Sequence, residues 1–363
     1  YCLVQSNFFA HHHFHKSKIK ALSRLGIDAC ILSIVPKNLY KKRREEYDLI
    51  AAQGDVKLII VPHKLVANFY LLTFLLKTVI ENKKILIHIL RSWTLPVVIF
   101  KILPLASKRL VYVQEFEGDN FSELMYVNDH SDPSRASSKL SAIIYRLRSL
   151  RIQFIEKIKV KRADGLVLVS NEHCKLWSRR LGHEISASIL PTLSDPESIR
   201  FDDLKRFEVR EQLNLIDKTV VAYVGNVVCM WQRRDDMCKL ILSLCERDNQ
   251  FHFLAIVRRD DFALMKESIL KFGIEQYTTL LTVDNSEIYK YLSAADIGLF
   301  LRHNHTMNKI VTSGKLIEYL TAGLPLITTG HNAEVLNEFI VENRAGFFID
   351  ESLEISESLM EYL

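Results

Sequence analysis

Lys315 and Glu318 stand three residues apart, just after the small-residue turn Thr312-Ser313-Gly314. Leu316, Ile317, Tyr319 and Leu320 keep helical spacing from that turn, and Ala322-Gly323 closes the segment before Pro325. The pair therefore shares one face of a helix in its first turns. Free backbone N–H groups at a helix start favour anions. A lysine beside such a start, next to Ser313 and Gly314, suits a diphosphate. A glutamate one turn deeper can accept hydrogen bonds from vicinal hydroxyls such as those of a ribose. Spacing alone also describes an exposed Lys–Glu helix pair.

Other candidates sit where apolar runs end. Tyr223-Val224-Gly225-Asn226 closes one run, and glycine there lets the backbone approach a ligand closely. Arg258 and Arg302 each follow directly on a further run, and Arg302 leads into the polar stretch His303 to Lys309. Gln114-Glu115-Phe116-Glu117 ends a run in the first half of the chain, where a carboxylate can orient or deprotonate a hydroxyl. Glu117 is preferred to Glu115. Near the start, Ser6 to His15 contains His11, His12, His13 and His15, imidazoles able to meet a phosphate, an acceptor or a metal.

The elements that must position these residues follow from the hydrophobic pattern. Short Val/Ile/Leu runs alternate with helical segments along the whole chain. Seven strands are expected up to residue 190, over 2–5, 29–35, 56–61, 85–90, 110–114, 165–169 and 187–190. Six more follow, over 220–224, 251–257, 280–283, 297–301, 326–328 and 347–349. Near-continuous apolar strands separated by helices imply parallel sheets covered on both faces. The fold class is α/β, with two doubly wound, Rossmann-like domains. Residues 1–192 form the first, 193–218 the connection, and 219–350 the second, with a last helix in 351–363. Ligands of such sheets bind beyond the carboxyl ends of strands, where the candidates lie.

The block Asn308-Lys309, a small-residue turn, Lys315-Leu316-Ile317-Glu318-Tyr319-Leu320 and Ala322-Gly323-Leu324-Pro325 resembles the donor-site signature of the family-4 retaining glycosyltransferases. The likeness is to bacterial enzymes of capsule, O-antigen and exopolysaccharide biosynthesis. It implies the GT-B fold, two such domains facing a cleft, with the last helix able to cross back to the N-terminal domain. It implies donor contacts from Gly225, Asn226, Arg233, Arg258, Arg302, Ser313, Gly314, Lys315 and Glu318. Trp231-Gln232-Arg233-Arg234 resembles the aromatic-plus-basic segment of that family, and His11–His13 occupy its phosphate or acceptor loop. Many relatives carry a glutamate eight positions before the one matching Glu318; here that position is Ile310. Asn308 and Lys309 stand in for it by position.

The resemblance implies transfer from a nucleotide sugar, such as a UDP- or GDP-sugar, to a lipid-linked or oligosaccharide acceptor, with no metal and no further cofactor. A sugar-nucleotide epimerase of the same fold and a non-catalytic nucleotide- or glycan-binding partner of another transferase remain as alternatives. No Gly-x-Gly-x-x-Gly follows any strand, which argues against a dinucleotide oxidoreductase.

The chain has 363 residues and a net charge of +5. Residues 1–190 hold 30 Lys and Arg against 16 Asp and Glu; the remainder holds 18 against 27. A basic first half suits an anionic surface. No recognition motif supports nucleic acid, so anionic lipid at the inner face of the plasma membrane is the expected partner of a cytoplasmic, peripherally bound protein. The run Lys41 to Arg44 and the apolar segment 65–80, too short to span a bilayer, contribute to that expectation. Six cysteines with no Cys-x-x-Cys pair favour reduced thiols.

Overall fold

A computed structural model describes residues 2–6, 22, 24–27, 30–34, 40, 41, 44, 45, 57–61, 64–81, 83–90, 95–130, 139–192 and 199–363. The chain divides into two compact units. Tyr1–Phe121 and Ser138–Leu190 form the first; Ser122–Ser137 and Pro191–Leu363 form the second. His11, His12 and His13 lie outside the described residues, as do Lys42 and Arg43 of the Lys41 to Arg44 run.

The first unit holds a parallel sheet of seven strands: β1 (Cys2–Ser6), β2 (Cys30–Ile34), β3 (Lys57–Val61), β4 (Ile85–Leu90), β5 (Leu110–Phe116), β6 (Gly165–Leu168) and β7 (Ser188–Ile189). Their order is β3-β2-β1-β4-β5-β6-β7. Chain direction along the sheet reverses between β1 and β4. Cys2, Leu32, Ile87, Ile89 and Tyr112 are buried from these strands, with Leu71 and Leu75 of the Lys64–Ile80 helix against them.

The second unit holds a parallel sheet of six: β8 (Thr219–Gly225), β9 (Phe251–Val257), β10 (Thr278–Leu281), β11 (Ile297–Phe300), β12 (Leu326–Thr328) and β13 (Gly346–Phe348). The order is β10-β9-β8-β11-β12-β13, so the switch point falls between β8 and β11. Successive residues of β8 go to opposite cores. Val221 and Tyr223 join Met237, Leu240 and Leu244 on one face, while Val220, Ala222 and Val224 meet Leu316, Tyr319 and Leu336 on the other. Burial on both faces is why these strands read as unbroken apolar runs. All thirteen strands overlap those expected from the pattern. This is the architecture of two parallel-sheet α/β domains expected from the sequence.

Two boundaries differ. Residues 193–218 contain the Asp203–Gln212 helix, which packs on the Ile288–Ala294 helix as part of the second unit. Arg206 and Arg210 of that helix converge on Asp296, at 2.5 and 3.0 Å, and Asp296 also accepts a hydrogen bond from Val220 N. The many charges that make this stretch look like a linker are thus fastened to the second sheet. The closing helix, Glu357–Tyr362, is part of the second unit, and Leu353, Ile355 and Leu359 are buried in that unit's core. Among the described residues no helix is long and apolar enough to cross a membrane.

Candidate functional site

The switch point of the second sheet gathers most of the sequence candidates. Gly225 ends β8 with φ of 135°, a left-handed conformation that glycine adopts without strain. A Cβ there would lie 2.0 Å from Cε of Lys315, so only glycine leaves room for the lysine to lie along the strand exit. Lys315 belongs to the Gly314–Thr321 helix that follows β11. Tyr319 fixes this helix to the sheet, accepting a hydrogen bond from Val224 N at 2.8 Å. Its ring lies over Gly298, where a Cβ would meet it at 2.8 Å. One helix face thereby docks on β8 and β11, and the other holds Lys315 and Glu318.

Nζ of Lys315 donates to the Tyr223 hydroxyl at 2.8 Å, to Gln232 Oε1 at 3.1 Å and to the Asn226 carbonyl at 3.3 Å. It sits 4.7 Å from the Tyr223 ring centre. Arg302, just past β11 and buried, donates to the same Gln232 Oε1 at 2.6 Å and lies over the Phe300 ring at 4.1 Å. Gln232 is buried and donates from Nε2 to Asn226 Oδ1 at 3.0 Å. One neutral amide oxygen therefore holds two cations. Among the described residues neither Lys315 nor Arg302 meets a carboxylate. Burial, reinforced by the Arg302 charge, holds the Lys315 ammonium well below the usual lysine range. Burial likewise brings the Arg302 guanidinium down to about 10. Exposed Arg258 adds to the positive field at Lys315.

Ser313 is the residue before the helix, and its side chain caps no backbone N–H. The first N–H groups of the helix therefore stay open beside Lys315. Two cations without an ion-pair contact, an uncapped helix start and a glycine strand exit suit a polyanion. Glu318, half-buried, makes no side-chain hydrogen bond or ion pair among the described residues, and burial pushes its carboxyl up against the opposing pull of Lys315. Its carboxylate oxygens are thus open to hydroxyl donors.

The other candidates divide. Arg233 pairs with Asp236 at 2.9 Å and with Glu351, so its charge is already balanced; it fastens the Arg234–Arg247 helix start to the chain end rather than facing an anion. Asn308 is buried and donates to the His303 carbonyl at 2.8 Å, which holds the loop, while Lys309 is exposed. Glu117 lies half-buried at the exit of β5 in the first unit. Glu115 is buried and paired with His88 at 2.7 Å. Gln232 and the Tyr223 hydroxyl were not singled out from the sequence. A neutral side chain inside a basic segment carries no charge pattern, and its role appears only when β8, β11 and the helix converge. Among the described residues no group of three or more His, Cys, Asp or Glu could hold a metal ion.

The fold is that of the GT-B glycosyltransferases. Anabaena HepE, solved in complex with UDP, has 12% sequence identity and a TM-score of 0.65, covering 99% of this chain and 87% of that one. A glycosyltransferase from Rickettsia africae has 16% identity and a TM-score of 0.65, covering 100% and 87%. WaaG, a glycosyltransferase involved in lipopolysaccharide biosynthesis, has 15% identity and a TM-score of 0.64, covering 100% and 89%. No protein-family model and no curated protein sequence matches the chain.

Proposed function

We propose that the chain is a glycosyltransferase that moves a sugar from a nucleoside-diphosphate donor to a hydroxyl, with retention of anomeric configuration. The observation that carries this reading is the pair of cations, Lys315 and Arg302, held by Gln232 without a carboxylate at the switch point of the second sheet. HepE, of the same fold, is solved with UDP and with UDP-glucose. As the bond from the anomeric carbon to the diphosphate oxygen breaks, negative charge grows on the leaving group. Donors already oriented toward it stabilise that charge more than the ground state. Lys315, Arg302 and the open N–H groups at the helix start supply them. The new bond forms from the acceptor oxygen on the same face, and the acceptor proton passes to the departing phosphate oxygen. Glu318 takes the hydroxyls of the donor ribose. Glu117 is the carboxylate assigned to the acceptor side.

The acceptor class we favour is a lipid-linked or oligosaccharide hydroxyl of cell-surface polysaccharide synthesis at the inner membrane face, as the sequence resemblance implies. No divalent metal is needed, because these cations and the helix start balance the diphosphate. The test measures nucleoside diphosphate released from a panel of UDP-, GDP- and ADP-sugars with bacterial lipid extract, in EDTA. Release that Lys315→Ala abolishes is expected. No release from any donor would sink the reading, and conversion of donor alone to its epimer would identify an epimerase instead.

A further inference from the structure

The helices over one face of the first sheet carry apolar side chains on both their inner and outer sides. The Lys64–Ile80 helix buries Leu71 and Leu75 in the core, yet Val66, Phe69, Leu76 and Ile80 on its other side are exposed, Phe69 to 67% and Ile80 to 81%. A helix apolar all round is ordinarily enclosed; this one is open on one side. The Leu95–Ile102 helix packs between it and the Lys139–Arg162 helix, and exposes Ile99 and Ile102. On the Lys139–Arg162 helix, Ile143, Leu147, Leu150 and Phe154 follow one another at intervals of four, three and four, a single stripe along the axis. All four are exposed, Leu147 to 61% and Phe154 to 66%.

Among the described residues of this helix, the exposed charges have one sign. Arg146 and Arg151 flank the stripe, and exposed Arg148 lies further round the helix. None of them pairs with a carboxylate among the described residues. The one carboxylate of the helix, Glu156, is buried on its inner side, where Asn120 donates to it at 2.7 Å. These features choose the occupant. A second copy of the chain would bring like guanidiniums together across the seam. An acidic polymer would leave the apolar stripe in water. Anionic lipid meets both, because an interfacial helix sinks its apolar stripe into the head-group boundary while arginines reach to phosphates.

We propose that this three-helix face docks the first unit on an anionic membrane surface, with the Lys139–Arg162 helix lying in the interfacial plane. The inference rests on the preceding reading for its purpose, access to a lipid-linked acceptor, and on the exposed stripe and its arginines for its evidence.

The test is co-sedimentation with phosphatidylcholine vesicles, with or without phosphatidylglycerol, at low salt and at 1 M. At 1 M screening shortens to roughly 3 Å. Wild-type protein is expected to partition at least about tenfold more strongly onto phosphatidylglycerol vesicles at low salt. Leu147→Glu with Phe154→Glu, and separately Phe69→Glu, should each reduce that binding by roughly tenfold. Arg146→Glu with Arg151→Glu should remove the preference for anionic lipid. Thermal shifts with UDP and GDP, read on every variant, should match wild type and so confirm folding. Variants that pellet like wild type would overturn the proposal, as would absence of low-salt binding. So would a concentration-dependent dimer, without vesicle binding, that Leu147→Glu and Phe154→Glu abolish. Absence of a UDP or GDP shift in wild type, with lipid binding intact, would count against the transfer reading alone.

Discussion

At the scale of single residues, the site turns on a glycine that admits a lysine. Gly225→Ala places a methyl group 2.0 Å from Lys315 Cε on a backbone at φ 135°. The strain costs about 1–3 kcal/mol, and the lysine must leave its three acceptors. Loss of stability in thermal unfolding, together with loss of nucleotide binding, is expected. Near-wild-type values for both would mean that the close approach has no role. Lys315 also links binding to pH. Its folded ammonium is held well below the lysine range, whereas the unfolded chain keeps that proton to about 10.4. The unliganded fold is therefore favoured as the proton leaves, and a bound diphosphate restores it. Binding should take up protons on the alkaline side of that lowered value, and affinity should fall as pH rises there. Calorimetry in two buffers of different ionisation enthalpy reads the uptake, which Lys315→Met should erase. Zero uptake in the wild type would contradict the unpaired, buried state of this lysine. Lys315, Glu318, Gly225 and Arg302 were legible in the sequence because charge and glycine at strand and helix ends are local signals. Arg233 was assigned to the anion because neither Asp236 nor Glu351 announces, from 3 or 118 positions away, that it neutralises that arginine.

At the scale of elements, the strands were legible throughout, since two-sided burial writes itself as an apolar run. The Asp203–Gln212 helix was not. Its charged surface resembles a connection, and its half-buried carboxylate contact, Asp296 with Arg206 and Arg210, joins positions far apart in sequence. Asp296→Ala removes the carboxylate shared by Val220 N and both arginines, which keep only carbonyl acceptors, and should cost about 3 kcal/mol of stability. Denaturant titration measures it, and a change within 0.5 kcal/mol, roughly that of an ordinary surface substitution, would return the helix to the status of a linker. In the first unit, burial raises the Glu156 carboxyl to about 7 and lowers His173 to about 4. The raised glutamate holds a proton that the unfolded chain releases, so it lowers stability as pH rises from about 4.5 to 7. The histidine acts the opposite way, lowering stability as pH falls from 6.5 to about 4. Glu156→Gln keeps an oxygen for Asn120 and removes only the first effect. It should raise stability on the order of 3 kcal/mol more at pH 8 than at pH 4.5. An equal change at both values would show that Glu156 is ionised in the fold.

For the whole molecule, two parallel sheets are each built around a switch point, and in the second it gathers an anion site from β8, β11 and the helix after it. Domain order and strand content were readable because they rest on periodicity. Part of the charge division along the chain lies on the Lys139–Arg162 helix, where exposed Arg146 and Arg151 flank apolar residues. The central claim is that Lys315 and Arg302 bind a nucleoside diphosphate. Titration calorimetry of UDP- and GDP-sugars into wild-type protein, Lys315→Ala and Arg302→Gln tests it directly. Micromolar binding of at least one donor to wild type is expected, weakened by roughly 10- to 100-fold in each variant, the loss of one charge-assisted contact. Binding of equal strength in all three proteins, with folding intact, would contradict the account.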